Sequence, residues 1–261
     1  MIRAAPARDL ESRTAIVTGA SSGIGRAAAV MLADRGARVI ATARNEKALV
    51  ELAAASAGIF PFAADLADTS SAFRIAKAAS RHGPPTILIC AAGLPGYIDQ
   101  PLANQSYAAW RATMAVNLDA PFLLSQAVMP FVQAEKWGRF VYVSSTAGLQ
   151  GAPSMSAYCA SKHGVIGLMR AVAHDVGAFH ATANAVCPGW VRTPMAEADA
   201  QRESALTGVS EEEIWRQRDM SYPRGHVLSA EEVASVISYL SSDAAAGVNG
   251  EAVTVALGGR W

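Results

Sequence analysis

Ala15-Ile16-Val17-Thr18-Gly19-Ala20-Ser21-Ser22-Gly23-Ile24-Gly25 is the stretch from which the fold is read. Its first four residues are three apolar side chains and a threonine, three of the four β-branched, and read as a strand. The glycines follow at once, and an Ala-rich helical pattern opens behind them, over 24–35. A turn of this kind lets backbone N–H groups approach a phosphate where a Cβ would stand in the way. The N-terminus of the helix adds partial positive charge. Glycines alone are a weak signal, but between a strand and a helix they point to a bound dinucleotide through Gly19, Ser21, Ser22, Gly23, Ile24 and Gly25.

The same alternation continues along the chain. Apolar runs at 15–18, 39–42, 59–62, 87–90, 140–143, 183–186 and 252–255 read as strands buried on both faces. Helical patterns lie between them, at 46–56, 70–81, 104–118, 121–135, 156–177 and 230–241. This predicts an α/β fold in a single domain over 13–261, a Rossmann-like doubly wound parallel sheet of about seven strands with helices on both faces. Residues 1–12 read as a flexible arm, because they carry two arginines, several alanines and no apolar run. The segment 193–227 breaks the rhythm. Its Ser210-Glu211-Glu212-Glu213-Ile214-Trp215 is a helix start with acids in the first turn, so a helical lid is expected there.

Bulk properties exclude several classes. Half the residues, 51%, are hydrophobic and 17% are charged, which suits a large core rather than a disordered chain. Lys plus Arg and Asp plus Glu both number 22, so neither nucleic acid nor an anionic membrane is expected as a partner. A neutral surface favours a homo-oligomer. No uninterrupted apolar run approaches the ~18 residues of a membrane span. Cys90, Cys159 and Cys187 lack CxxC spacing and read as buried thiols in a reducing cytoplasm. The five histidines are scattered, so no metal is expected.

The second apolar run ends in Ala43-Arg44. An acid about twenty residues past the glycines would bind a ribose 2′-hydroxyl. Here Ala43 holds that place and a guanidinium follows, which favours a 2′-phosphate and hence NADP(H), with NAD(H) as the alternative.

Further motifs resemble the short-chain dehydrogenase/reductase family along essentially the whole chain. They are Asn117 in Val116-Asn117-Leu118, Ser145 in Val143-Ser144-Ser145, Tyr158-Cys159-Ala160-Ser161-Lys162, and Pro188-Gly189 with Thr193. The stretch from Ser156 to Met195 is most similar to bacterial polyketide ketoreductases and 3-hydroxybutyrate dehydrogenases. Where many relatives carry Asn-Asn-Ala-Gly, this chain has Cys90-Ala91-Ala92-Gly93, which removes side-chain hydrogen bonds and leaves the rigidity of that loop in question.

The resemblance implies an oxidoreductase that interconverts a ketone and a secondary alcohol, with Ser145, Tyr158, Lys162 and Asn117 catalytic. Tyr158 and Lys162 lie one helical turn apart on the same face, and the ammonium is expected to lower the phenol pKa so that Tyr158 can exchange a proton. Ser145 would donate to the substrate oxygen, Lys162 would hold the nicotinamide ribose, and Asn117 would hold a water that relays protons to Lys162. Asp65 and Leu66 would meet the adenine, with a helix cap as the other reading of Asp65. Ala92 and Gly93 would lie near the ribose, and Pro188, Gly189, Val191 and Thr193 near the carboxamide.

The expected substrate pocket carries Leu94, Tyr97, Leu149, Met155, Trp190 and Met195, which suits an apolar or aromatic carbonyl compound, although several of these could be lid core. Five arginines, Arg192, Arg202, Arg216, Arg218 and Arg224, could bind a phosphopantetheine or a carboxylate, or form a solvated face. The same family resemblance implies a dimer or tetramer through the helices of 104–135 and 156–177. Two other functions stay open, an NAD-dependent alcohol or hydroxy-acid dehydrogenase and a non-enzymatic nucleotide sensor.

Overall fold

Each predicted apolar run becomes a strand. β1 is Thr14–Thr18, β2 Arg38–Ala43, β3 Ile59–Ala63, β4 Pro85–Cys90, β5 Gly138–Val143, β6 Ala181–Pro188 and β7 Ala252–Val255. The computed structural model describes residues 8–96 and 101–259. The seven strands are parallel and ordered β3-β2-β1-β4-β5-β6-β7. Pro61 cannot donate to a ladder, and it sits in β3, at the sheet edge, where that loss is tolerated.

The period-2 geometry of the strands divides the core in two. Ala15, Val17, Val39, Ala41, Ile87, Ile89 and Val141 face α1 (Gly23–Asp34), α2 (Glu46–Ala55) and a C-terminal helix over 230–240. Ile16, Ile40, Leu88, Phe140 and Tyr142 face the other way, onto α3 (Ser71–Ala79) and two long helices. The first long helix is continuous over 107–135, where two separate helices were expected: α4 (Tyr107–Met114), one π turn (Ala115–Asp119) and α5 (Ala120–Glu135). It is long and apolar enough to cross a membrane by composition alone, yet it packs on β4 and α3 inside this fold. The second is α6 (Ser156–Val176). Tyr142, fully buried, places its hydroxyl 2.6 Å from Ser125 Oγ, which itself donates to the Pro121 carbonyl at 2.7 Å.

Residues 8–12, at the end of the expected arm, are packed rather than loose. Leu10 is buried, Asp9 pairs with Arg35 at 2.8 and 2.5 Å, and Arg38 donates to the Ser12 carbonyl at 2.9 Å. An apolar side chain flanked by an ion pair has reason to dock.

The segment 193–227 is helical, as α7 (Pro194–Thr207) and α8 (Glu211–Met220). Its two ends are pinned together by a parallel bridge between Val191 and Leu228, with Arg192 donating to the Leu228 carbonyl and Leu228 to the Trp190 carbonyl. Helix α9 (Ala230–Leu240) follows at once. Ser229 caps it through a reciprocal box: Ser229 Oγ accepts from Glu232 N at 3.1 Å, and the Glu232 carboxylate accepts from Ser229 N at 2.9 Å.

Replacing Ser229 with Ala removes half of that box. We expect a loss of about 1 kcal/mol of stability, read by urea unfolding, with no change of fold by circular dichroism.

Candidate active site

In a parallel sheet every strand delivers its C-terminal end to the same edge. At β1 and β4 the order reverses direction, and a crevice opens there. A cleft of about 370 Å³ runs along this edge. It is lined by Gly19, Ser21, Ser22, Gly23, Ile24 and Gly25 after β1, Arg44 after β2, and Asp65 and Leu66 after β3. Ala92, Gly93 and Leu94 after β4, and Thr193 and Met195 at the start of the lid, complete its predicted lining. Ala43, Asn45, Ala64, Ala91, Val116 and Pro194 line it as well. Of these, Ala43, Ala91 and Val116 stand in stretches quoted from the sequence without being assigned contacts, and Asn45, Ala64 and Pro194 were missed, since they lie next to singled-out residues and carry no motif signal of their own.

The glycines serve the protein's packing against itself as much as a ligand. Gly19 has φ +68°, and a Cβ there would lie 2.8 Å from Ala92 N. A Cβ on Gly25 would overlap the Gly19 carbonyl. These contacts fold the loop tightly onto the end of β4. Ser22, at the N-cap of α1, makes no side-chain capping bond, so the helix N-terminus keeps donors for an anion. Arg44 is exposed and has no ion-pair partner among the described residues. A cradle of close backbone, uncapped helix donors and a free guanidinium fits the phosphates of a dinucleotide.

Thr18 resolves the question of rigidity in the Cys90-Ala91-Ala92-Gly93 loop. Its buried hydroxyl accepts from Ala91 N at 3.0 Å and Ala92 N at 3.1 Å, and donates to the Ile89 carbonyl at 3.4 Å. These bonds fix the loop where the expected asparagine side chains are missing.

Asn117 is 2% exposed, in the π turn, and does not face solvent. Its Oδ1 accepts from Leu94 N at 2.8 Å, and its Nδ2 donates to the Leu94 carbonyl at 2.9 Å and to Ser161 Oγ at 3.0 Å. Both amide hydrogens are therefore engaged. The side chain ties the loop after β4 to α6, the helix that carries Tyr158 and Lys162.

Lys162 is buried, and its Nζ donates to the Val143 carbonyl at 2.8 Å, at the end of β5. It lies 5.5 Å from the Tyr158 ring centroid. Burial lowers its pKa to about 8. Tyr158 moves the other way from the expectation. Burial raises its pKa, and the hydrogen bond with Ser145 offsets this only in part. Desolvation of the phenolate therefore prevails at Tyr158. Ser145 Oγ also accepts from Ala147 N at 3.1 Å, which fixes the turn Thr146–Gly148 behind it.

Other predicted residues separate. Asp65 accepts from Ala67 N at 3.0 Å and does not cap a helix, while Ser70 stands at the N-cap of α3. Pro188, Gly189 and Val191 do not line the cleft. Gly189 N donates to the Val255 carbonyl, and Val191 is buried under the lid. Trp190 belongs to the lid core. Its face lies 3.8 Å from the Arg218 guanidinium carbon, and its backbone N donates to Tyr222 Oη at 2.6 Å. Leu149, Met155 and Met195 keep partial exposure, and Met195 reaches the cleft. Tyr97 lies outside the described residues. Among the described residues no group of three or more His, Cys, Asp or Glu gathers as metal ligands.

The comparisons with known proteins agree with this geometry. Residues 13–204 match the family model for short chain dehydrogenases. The chain is 37% identical over 248 residues to the protein named as ketoacyl reductase 1 of the granaticin polyketide synthase of Streptomyces violaceoruber, covering 92% of this chain and 90% of that one. It is 33% identical over 258 residues to a D-beta-hydroxybutyrate dehydrogenase of Rhizobium meliloti, covering 96% and 98%. The solved structure of a single-substitution variant of actinorhodin polyketide ketoreductase with NADPH superposes with a TM-score of 0.89 at 34% identity, covering 95% and 97%. The chain belongs to the short-chain dehydrogenase family, oxidoreductases that act on keto and hydroxy groups with a nicotinamide cofactor.

Proposed function

We propose that this protein reduces an apolar or aromatic ketone to a secondary alcohol and prefers NADP(H) to NAD(H). One observation carries the reading. Ser145, Tyr158 and Lys162 gather by the end of β5, where Lys162 Nζ would lie 3.5 Å from a Cβ on Gly93, a residue of the cleft whose far end, at β2, carries the unpaired Arg44. The order β2-β1-β4-β5 separates those two ends by three strand steps, about 14 Å, a span suited to an extended dinucleotide.

A bound nicotinamide would supply hydride to the carbonyl carbon. Tyr158 gives its phenolic proton to the developing alkoxide oxygen, and Ser145 donates a hydrogen bond to the same oxygen. Lys162 keeps two of its three donors beyond the Val143 carbonyl, enough to hold ribose hydroxyls. Asn117 acts by position, since its amide hydrogens are committed to Leu94 and Ser161. A raised phenol pKa favours the reduction direction, in which Tyr158 must begin protonated. Ile24, Asp65, Leu66, Ala92, Gly93 and Thr193 complete the cofactor contacts in this reading. The exposed Tyr107 and Phe122 support a homo-oligomer through the 107–135 helix.

The relative named as a hydroxybutyrate dehydrogenase supports a second reading, an NAD-dependent dehydrogenase on the same fold. Arg44 separates the two. Arg44→Asp is expected to cost NADPH ten- to a hundredfold in kcat/KM, about 1.4 to 2.8 kcal/mol, and to leave NADH nearly unchanged. Indifference to this change, together with a wild-type preference for NADH, favours the second reading.

Tyr158→Phe should lower kcat for ketone reduction by a factor of about 10² to 10⁴ while melting temperature and NADPH affinity hold. Retained turnover would show that another group supplies the proton.

The pH dependence follows from the two shifts. Reduction needs the Tyr158 phenol and the Lys162 ammonium, so kcat/KM should decline as pH rises through about 8, where Lys162 loses its proton. Oxidation of the alcohol needs the phenolate and should gain as pH rises further. Initial rates in both directions from pH about 6 to about 10, a range that brackets the lysine and the ordinary phenol, check both signs.

A further inference from the structure

The arginines of the lid invite an anionic substrate when read from the sequence, and the structure shows where their charge goes. Arg218 is 7% exposed. It donates to Asp199 at 2.8 Å, Glu203 at 2.7 Å and the Ala196 carbonyl at 3.2 Å. Its guanidinium carbon lies 3.8 Å from the centroid of the Trp190 ring and 5.0 Å from that of Trp215. Edge and faces of this cation are therefore committed within the lid. Arg216 is held bidentately by Glu213 at 2.6 and 2.6 Å. Arg192 stacks on Trp215 at 4.1 Å and pairs with Asp219 at 3.8 Å. Arg202 lies in the field of Asp199.

The balance left over is acidic. Residues 193–227 carry seven carboxylates and four guanidiniums. Glu197, Glu211 and Glu212 are exposed without an ion pair among the described residues, against Arg224 alone. Lys162, buried and tied to the Val143 carbonyl, is the cation beside Tyr158, and residues 94–96, 101–107 and 145–158 contain no charged side chain. Of the cleft lining, Arg44 and Asp65 are the charged members, and both stand at the β2–β3 end. The N-terminus of α7, which borders the cleft at Pro194 and Met195, offers little to an anion. Pro194 has no N–H, Ala196 N is taken by Thr193 Oγ1 at 3.4 Å, and Glu197 occupies the first turn. A carboxylate drawn into such a site would lose water without gaining a counter-charge.

Resting on the ketone-reductase reading above, we infer that the substrate is an uncharged carbonyl compound free in solution, and that the mouth of the site discriminates against carboxylates and phosphodiester-bearing carrier thioesters. Apolar contact with Leu94 and Met195 selects the neutral ketone, and the acidic lid repels the anion.

The test uses the full chain with NADPH and a matched pair of probes, methyl 4-acetylphenylacetate and 4-acetylphenylacetate. The methylene group keeps the electronic character of the two ketones alike. A kcat/KM at least tenfold higher for the ester is expected, expressed mainly in KM. Met195→Arg, which places a cation on the cleft lining, should narrow the ratio by improving the acid. Melting followed by circular dichroism reports whether the variant remains folded. A second pair, one 3-oxoacyl chain on N-acetylcysteamine and on phosphopantetheine, should favour the neutral thioester. Turnover of the acid or the phosphopantetheine thioester equal to or above its neutral partner overturns this inference and leaves the ketone-reductase reading standing. No turnover of any probe by NADPH-bound protein overturns that reading, and this inference with it.

Discussion

A parallel sheet buried on both faces leaves a ligand one place to approach, the edge where the strands end. Every strand of this protein obeys that constraint. Alternate residues of β1, β2, β4 and β5 enter two separate cores, and helices cover both. The chain between a strand end and the next helix therefore carries the chemistry, and the reversal of strand order at β1 and β4 opens the cleft among those connections.

Holding such connections still takes polar side chains that bond to backbone. Thr18 reaches from the end of β1 to the loop after β4. Asn117 reaches from the π turn to that same loop and to Ser161. Lys162 reaches from α6 to the end of β5. The side chain at 117 can make its bonds because a π turn interrupts the helix of 107–135 at that point. Burial then sets the protonation states. It disfavours charge on both Tyr158 and Lys162, so the pair begins closer to neutrality than two exposed groups would.

The lid follows a different rule. Its cohesion comes from one buried guanidinium between two indoles, closed off by two carboxylates, beside a small apolar cluster. The arginines that hold it together are withdrawn from any ligand, and the surface that remains carries the surplus of acid. Stability of the lid and the acidic surface it presents thus arise from the same allocation of charge.

What could be read from sequence was what local pattern dictates. The apolar runs gave all seven strands because residues buried on both faces must be apolar. The glycines after β1, the Tyr158–Lys162 spacing and the bare Arg44 marked the site because helix pitch and backbone approach are local properties. Tertiary structure alone decided the rest. Whether Lys162 lowers the phenol pKa depends on which atoms it faces, and it faces the Val143 carbonyl. Whether Asn117 meets solvent, whether Trp190 belongs to a pocket or to a lid core, and whether Arg218 is free all depend on neighbours distant in the chain. Burial and charge pairing are sums over such neighbours, and the order of residues along a single chain does not contain them in readable form.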